Sequence, residues 1–200
     1  MVLLAIDFIS DRLSHREEHD HAVKMRDELL TLVYGASEFA FAVKEGGKPY
    51  IENSSIAYSI THTDGCISCA VSVEDTAADY PELPENVTKS GIYSLPADFP
   101  CEIGYDIEYM NERRSCDMIF GVSKKFFSEG ELLRLNSSCD THTEFFKIWT
   151  TKESLVKCTG EGMKAIAYVD VTSLDRSYAV HSFTAENGDK RFACCLCMKK

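Results

Sequence analysis

No run of apolar residues in this chain approaches the roughly 18 needed to cross a bilayer, so no membrane-spanning helix is expected. Basic residues are also short: 21 Lys and Arg stand against 32 Asp and Glu, a net charge of −11. A phosphate-backbone footprint needs clustered Lys and Arg, which excludes nucleic acid as a main partner. Residues 1–9 lack a basic leader and contain Asp7, so they read as a first strand, not a signal peptide, and a cytoplasmic protein is expected. Nine cysteines, an odd number, do not suggest a disulfide framework but fit a reducing compartment. Cys194, Cys195 and Cys197 lie in an apolar, strand-like run without a C-x2-C knuckle, and read as buried thiols in preference to zinc ligands. A 44% hydrophobic and 26% charged composition is that of a folded globular chain, with residues enough for one large domain or two small lobes.

Proline is scarce too, and its distribution is informative. Four of the five (Pro81, Pro84, Pro96, Pro100) fall between residues 74 and 100, with six acidic residues and one lysine. That segment reads as a surface insertion or linker, or else a lid, with residues 91–95 as a short edge strand. It divides the chain into residues 1–73, 74–100 and 101–200. The first part reads as a strand at 2–8, a helix over 16–34, a strand at 39–43, and a hairpin of strands 55–61 and 66–73 about Asp64-Gly65. The last part reads as a strand at 101–109, helices, and strands near 167–170, 178–184 and 191–198. Ser128 and Glu131 have the spacing of a helix capping box.

Two stretches carry chemistry. In the first, Ile103, Tyr105 and Ile107 alternate with Gly104, Asp106 and Glu108, which puts both carboxylates on one strand face. The second, residues 145–158, has no Pro or Gly and spaces Phe145, Ile148, Trp149 and Val156 helically. On that helix Glu153 and Lys157 are i,i+4 neighbours. If strand and helix meet, Asp106, Glu108 and Glu153 converge beside one or two ammonium groups. Three hard oxygens suit Mg²⁺, which keeps open positions for substrate phosphate, and the lysines would bind the same phosphate. Trp149 reads as core. The histidines at 15, 19, 21, 142 and 181 show no metal pattern.

Gly104-Tyr105-Asp106-Ile107-Glu108 and Trp149-Thr150-Thr151-Lys152-Glu153-Ser154-Leu155-Val156-Lys157 resemble the G-x-D-x-E and W-x-x-K-E-[SA]-x-x-K blocks of the 4′-phosphopantetheinyl transferases. Gly47-Lys48-Pro49 resembles that family's G-K-P block, and Thr61-His62 its Ser-His pair, with a threonine in place of the serine. Either Tyr58 or Ser59 stands where the family has an asparagine. The chain from His62 to Gly104 is longer than the family's connection, and Lys24 and Arg26 are the nearest basic residues on the first helix.

The resemblance implies an α+β fold of two similar lobes in tandem, the larger, pseudo-dimeric type, with the site in the cleft between them. It implies Mg²⁺-dependent (or Mn²⁺-dependent) transfer of the phosphopantetheine arm of coenzyme A to a serine of an apo acyl or peptidyl carrier protein. It makes Asp106, Glu108 and Glu153 the metal ligands and Glu153 the base, with Lys157 at the leaving phosphate. Lys48, Pro49, Thr61, His62, Lys152 and Lys157 would meet coenzyme A, although Lys152 on its own reads equally as solvated. A monomer is expected. The competing expectations are a non-catalytic coenzyme A-binding homologue and a cysteine-based metal or redox module.

Overall fold

The computed structural model describes residues 1–10, 12–35, 38–74, 78–112 and 114–199. In chain order the elements are β1 Val2–Phe8, α1 His15–Tyr34, β2 Phe41–Val43, β3 Pro49–Ile51, β4 Tyr58–Thr63, β5 Cys66–Ser72, β6 Asn86–Val87 and β7 Gly91–Leu95. There follow β8 Glu102–Tyr109, α2 Cys116–Phe126, α3 Glu129–Ser137, α4 Thr141–Thr159, a 3-10 helix Met163–Ala167, β9 Tyr178–Asn187 and β10 Lys190–Lys199.

Two four-stranded sheets face each other. One has the order β4-β5-β1-β7 and the other β6-β9-β10-β8, while β2 and β3 form a separate hairpin. Val2, Leu4 and Ile6 point from β1 into the space between the sheets, where they meet Ile103, Tyr105 and Ile107 of β8 and Cys194 and Leu196 of β10. The alternate residues Leu3 and Ala5 point the other way, onto Ala22, Met25, Leu29 and Leu30 of α1. Both faces of β1 are therefore covered, which is why it is apolar at nearly every position. On the far side α4 lies against the second sheet, with α2 and α3 packed on it around Phe145, Phe146 and Ile148. The layers run helix, sheet, sheet, helix.

The helix ends are specified locally. Ser14 and Glu17 form a capping box on α1, and Ser128 and Glu131 form one on α3. Gly160 closes α4 in the left-handed conformation, at φ 76°.

The described part of residues 74–100 ties the sheets together. Its β7 pairs with β1 at one edge of the first sheet, and β6 pairs in parallel with β9 of the second. Leu83, Val87 and Leu95 are buried in the inter-sheet core. A strand expected near residues 167–170 is replaced by the 3-10 helix and turns. The physical reason is that buried side chains take the backbone groups there. The Val171 amide donates to Glu131, and the Val169 carbonyl accepts from Lys152, so no neighbouring strand is needed.

Candidate active site

The feature that builds the site is the close approach of β8 and α4. Gly104 has no side chain, and a Cβ there would lie 2.0 Å from the Ser154 carbonyl oxygen and 2.3 Å from the Cys158 nitrogen. Helix backbone therefore rests directly on strand backbone. The next residues on that face, Asp106 and Glu108, come out beside Glu153 one turn along the helix. One oxygen from each of these three carboxylates lies within 4.8 Å of the others, and among the described residues no other such group of His, Cys, Asp or Glu was found.

The electrostatics follow from this crowding. Burial, and then the neighbouring Asp106 charge, push Glu108 up to about 7, against the pull of Arg114, Lys157 and the Trp149 indole N–H. Burial and the Asp106 charge push Glu153 up to about 8, with Lys157 opposing. Lys157 Nζ donates to Asp106 Oδ1 at 2.7 Å, to the Tyr105 carbonyl at 3.2 Å and to Thr61 Oγ1 at 3.4 Å. One ammonium does not neutralise three carboxylates. Asp106 Oδ2 is buried and meets no hydrogen-bond partner. A buried, orphaned carboxylate oxygen beside two reluctant acids is what a bound divalent cation would satisfy, so these residues fit Mg²⁺.

The other wall comes from β4. Its alternate hydroxyls accept from alternate amides of the edge strand β8: Ser59 from Tyr105 at 3.0 Å, Thr61 from Ile107 at 3.3 Å and Thr63 from Tyr109 at 3.3 Å. This ladder covers the open edge of the second sheet and fixes β8 against β4. Thr61 also donates to Asp106 Oδ1 at 3.3 Å. The hydroxyl that replaces the family serine thus touches backbone, carboxylate and ammonium at one point.

A cavity of about 710 Å³ opens from here, lined by Asp106, Glu108, Glu153, Lys157, Thr61 and His62 together with Lys48, Pro49, Arg26, Phe41 and Tyr58. Of the residues expected at coenzyme A, Thr61, His62, Pro49 and Lys157 face it. Lys48 does so with its stem only, because its ammonium is buried on Glu102 and the Cys158 carbonyl. Burial pushes Glu102 up, but Lys44 and Lys48 outweigh this and hold it below the usual carboxylate range. Lys48 thereby clamps the C-terminus of α4 to β8. The β2–β3 turn closes on the same place, for a Cβ on Gly46 would meet the Gly160 carbonyl oxygen at 1.7 Å.

Lys152 is a correction. Expected at a phosphate, or in solvent, it is fully buried on the other side of α4, donating to both Glu131 oxygens at 2.7 and 2.9 Å and to the Val169 carbonyl. It holds α3 and the 169–171 turn to α4 and does not line the cavity. Trp149 is half-buried, as the core reading expects, and also supports Glu108. The thiols of Cys194, Cys195 and Cys197 are buried and free.

Sequence reasoning missed Phe41 and gave no reason to choose Arg26. Arg26 is held by Asp27 at 2.7 Å, with its guanidinium 3.8 Å from the centre of the Phe41 ring. The Ser59-x-Thr61-x-Thr63 alternation was the available signal for the hydroxyl ladder. Of the basic residues in the second half, Arg113 lies outside the described residues. Arg134 pairs with Glu144, while Lys124 and Lys125 are exposed at the end of α2.

Comparison with known proteins points to one family. Residues 102–198, which hold the three carboxylates and Lys157, match the model of the 4′-phosphopantetheinyl transferase superfamily. The matched stretch is 97 of the 200 residues and is the part of the chain that carries the candidate site. Relatives include the 4′-phosphopantetheinyl transferase gsp of Aneurinibacillus migulanus, 27% identical over 135 residues, covering 66% of this chain and 41% of the relative. The 4′-phosphopantetheinyl transferase HetI of a Nostoc species is 26% identical over 137 residues, 66% of this chain and 46% of the relative. The 4′-phosphopantetheinyl transferase ffp of Bacillus subtilis is 32% identical over 88 residues, 42% of this chain and 37% of the relative. The matches thus span less than half the length of each of these curated relatives. Among the described residues, no helix is long and apolar enough to cross a membrane.

Proposed function

We propose that this chain transfers the 4′-phosphopantetheine arm of coenzyme A to a serine of an apo acyl or peptidyl carrier protein, releasing adenosine 3′,5′-bisphosphate. The observation that carries the proposal is the meeting of Asp106, Glu108, Glu153 and Lys157 at the wall of one cavity. The surrounding architecture is read as two α+β lobes, residues 1–73 and 101–200, with residues 74–100 stitched across both and the site in the cleft between them. Because a single chain lines the whole cavity, a functional monomer working in the cytoplasm is the simplest assembly.

Asp106, Glu108 and Glu153 would hold Mg²⁺, with Mn²⁺ as a substitute. Bound there, the ion supplies positive charge that offsets the carboxylates and polarises a pyrophosphate oxygen. The protein's part is positioning and proton handling. The serine oxygen bonds to the phosphorus that carries the pantetheine arm, and the bond from that phosphorus to the bridging oxygen breaks. The serine proton passes to Glu153, directly or through water. Lys157, anchored on Asp106 and Thr61, steadies the departing phosphate. His62 and Thr61 line the path to the pyrophosphate, and Pro49 and the Lys48 stem line the far wall toward the adenine.

The test is a mass-shift assay with coenzyme A, Mg²⁺ and a panel of apo-carriers from fatty-acid, polyketide and peptide synthetases. At least one carrier should gain the phosphopantetheine mass, and Asp106→Ala should abolish the gain while remaining folded. Coenzyme A binding without modification of any carrier would favour the non-catalytic homologue instead.

A further inference from the structure

One acid close to the cavity has no part in the transfer described above. Glu18 lies in the first turn of α1, where Glu17 already serves the capping box. Its side chain is only 13% exposed, and its Oε2 lies 3.2 Å from Nδ1 of His62, which is exposed to the same extent. His62 lines the cavity, whereas Glu18 is not among the lining residues. The carboxylate therefore stands behind the ring and not beside the ligand. His15 and His19, also on α1, do line the cavity, with ring centroids 4.8 and 6.1 Å from that of His62 and interplanar angles of 77°. Their edge-on rings limit how far the imidazole can turn, and the Glu18 bond fixes which nitrogen faces α1.

We propose that Glu18 is a positioning residue for coenzyme A: it holds His62 with Nε2 left to grip a phosphate oxygen, and supplies the counter-charge the ring needs when it does so. This rests on the assignment of His62 to the coenzyme A phosphates. A carboxylate near the wall of an anion site would, by itself, repel the ligand. Set behind a ring that can take a proton it does the opposite, because an imidazolium between two anions is attracted to both. The helix dipole favours an acid in the first turn of α1, but that effect calls for neither burial nor a partner on β4.

Burial holds His62 below the usual imidazole range, against the pull of Glu18 and with help from His15 and His19. The ring is therefore neutral at pH 7.5 before the ligand arrives, with its one N–H donated from Nδ1 to Glu18 and a lone pair on Nε2. Nε2 can donate to a phosphate oxygen only after taking a proton from solvent. The groups that face the ring from α1 are Glu18, His15 and His19. The neighbouring Thr61 turns the other way, to Asp106 and Lys157, and Glu108, Glu153 and Arg26 line the same cavity. Coenzyme A binding should thus place a proton on His62, and that share of the affinity should be lost as pH rises through the range of the ligand-bound ring.

The experiment titrates the full chain with coenzyme A by calorimetry at pH 7.5 in saturating Mg²⁺, in two buffers of different ionisation heat, and reads the His62 tautomer by ¹⁵N NMR. His62→Ala should weaken binding about tenfold or more and take up correspondingly less proton. Glu18→Ala should weaken it to a similar degree and move the neutral ring's proton from Nδ1 to Nε2. Glu18→Gln keeps an acceptor for Nδ1 without the charge, so the tautomer should stay while affinity and proton uptake fall. In the His62→Ala background, Glu18→Ala should cost nothing further, which separates support of the ring from support of the fold. Parent affinity in both Glu18 variants would overturn the proposal, as would an equal loss from Glu18→Ala with and without His62. Undiminished binding in His62→Ala would remove the assignment on which the proposal rests, and a parent chain that does not bind coenzyme A would sink the proposed function with it. None of these readouts depends on which carrier is modified.

Discussion

Replacing Gly104 by alanine tests whether the contact of β8 with α4 assembles the site. The added Cβ would lie 2.0 Å from the Ser154 carbonyl oxygen, 2.3 Å from the Cys158 nitrogen and 2.9 Å from its Cα, all of them helix backbone. Ordinary contact begins near 3.4 Å, so strand and helix must separate by about 1.4 Å (3.4 − 2.0). No rotamer change can relieve a backbone clash, and the cost should reach or exceed the upper end of the about 1–3 kcal/mol typical of overpacking. The consequence for the site is larger than the loss of stability suggests. Asp106 and Glu108 ride on the strand and Glu153 on the helix, so the same separation pulls apart oxygens that now lie within 4.8 Å. Disturbing the support of metal ligands typically costs 10–100-fold in affinity. Gly104→Ala should therefore unfold at lower denaturant and bind Mg²⁺ at least tenfold more weakly, by urea titration and calorimetry respectively. Gly121→Ala is the control. It lies within α2 with nothing within 4 Å of the added carbon, and should be neutral or stabilising by up to about 1 kcal/mol. A Gly104→Ala protein with the stability and Mg²⁺ affinity of the parent would refute the account of how the carboxylates converge.

Three further outcomes are expected. Because Glu108 and Glu153 hold protons up to about 7 and 8 in the fold and release them near 4.5 when unfolded, the metal-free native state binds more protons between these values. Its stability should fall as pH rises from 4.5 to 8, by about 3 kcal/mol from Glu108 alone. Mg²⁺ should restore the loss, and Glu108→Gln should flatten the metal-free slope; an identical slope in parent and variant, by urea melts across that window, would remove the premise. Glu131→Gln leaves the buried Lys152 ammonium without its counterion and should cost about 3–5 kcal/mol, far more than a surface pair, so a thermal midpoint equal to that of the parent would contradict the strut assignment. Finally, Lys124→Glu with Lys125→Glu should raise KM for an acidic carrier and leave that for coenzyme A nearly unchanged, since exposed rim charges act on association. Equal changes in both would detach these lysines from carrier docking.

Much of the site could be read in the sequence because it rests on two short periodicities. A period of two placed Asp106 and Glu108 on one strand face, and i,i+4 spacing placed Glu153 over Lys157. Neither period says which way a neighbouring residue turns. Lys152 is one position before Glu153, about 100° around the helix, and that rotation takes it from the cavity wall into the contact with α3. The Ser128–Glu131 capping spacing was visible, but nothing local showed that Glu131 would also reach Lys152. Residues 74–100 misled in another way. Proline and acidic residues gave the segment the composition of a surface excursion, while its few separated apolar residues, Leu83, Val87 and Leu95, decide where it lies.

What was least legible is the seam itself. The carboxylates and Lys157 come from β8 and α4, while Thr61, His62 and Arg26 come from β4 and α1, and no spacing within either group specifies how the two meet. The ladder from Ser59, Thr61 and Thr63 to the amides of Tyr105, Ile107 and Tyr109 does so. An edge strand exposes amides at every second residue, and a neighbouring strand exposes side chains with the same period, so three hydroxyls at i, i+2 and i+4 can engage three amides in only one register. A slip by two residues would leave one amide of β8 unpaired and carry Asp106 away from Thr61. Threonine in place of serine at position 61 keeps the hydroxyl that the register needs, and its added methyl suits a β-strand. The substitution that stood out as a departure from the family pattern is therefore compatible with both jobs at this position, holding β8 in place and meeting Asp106 and Lys157.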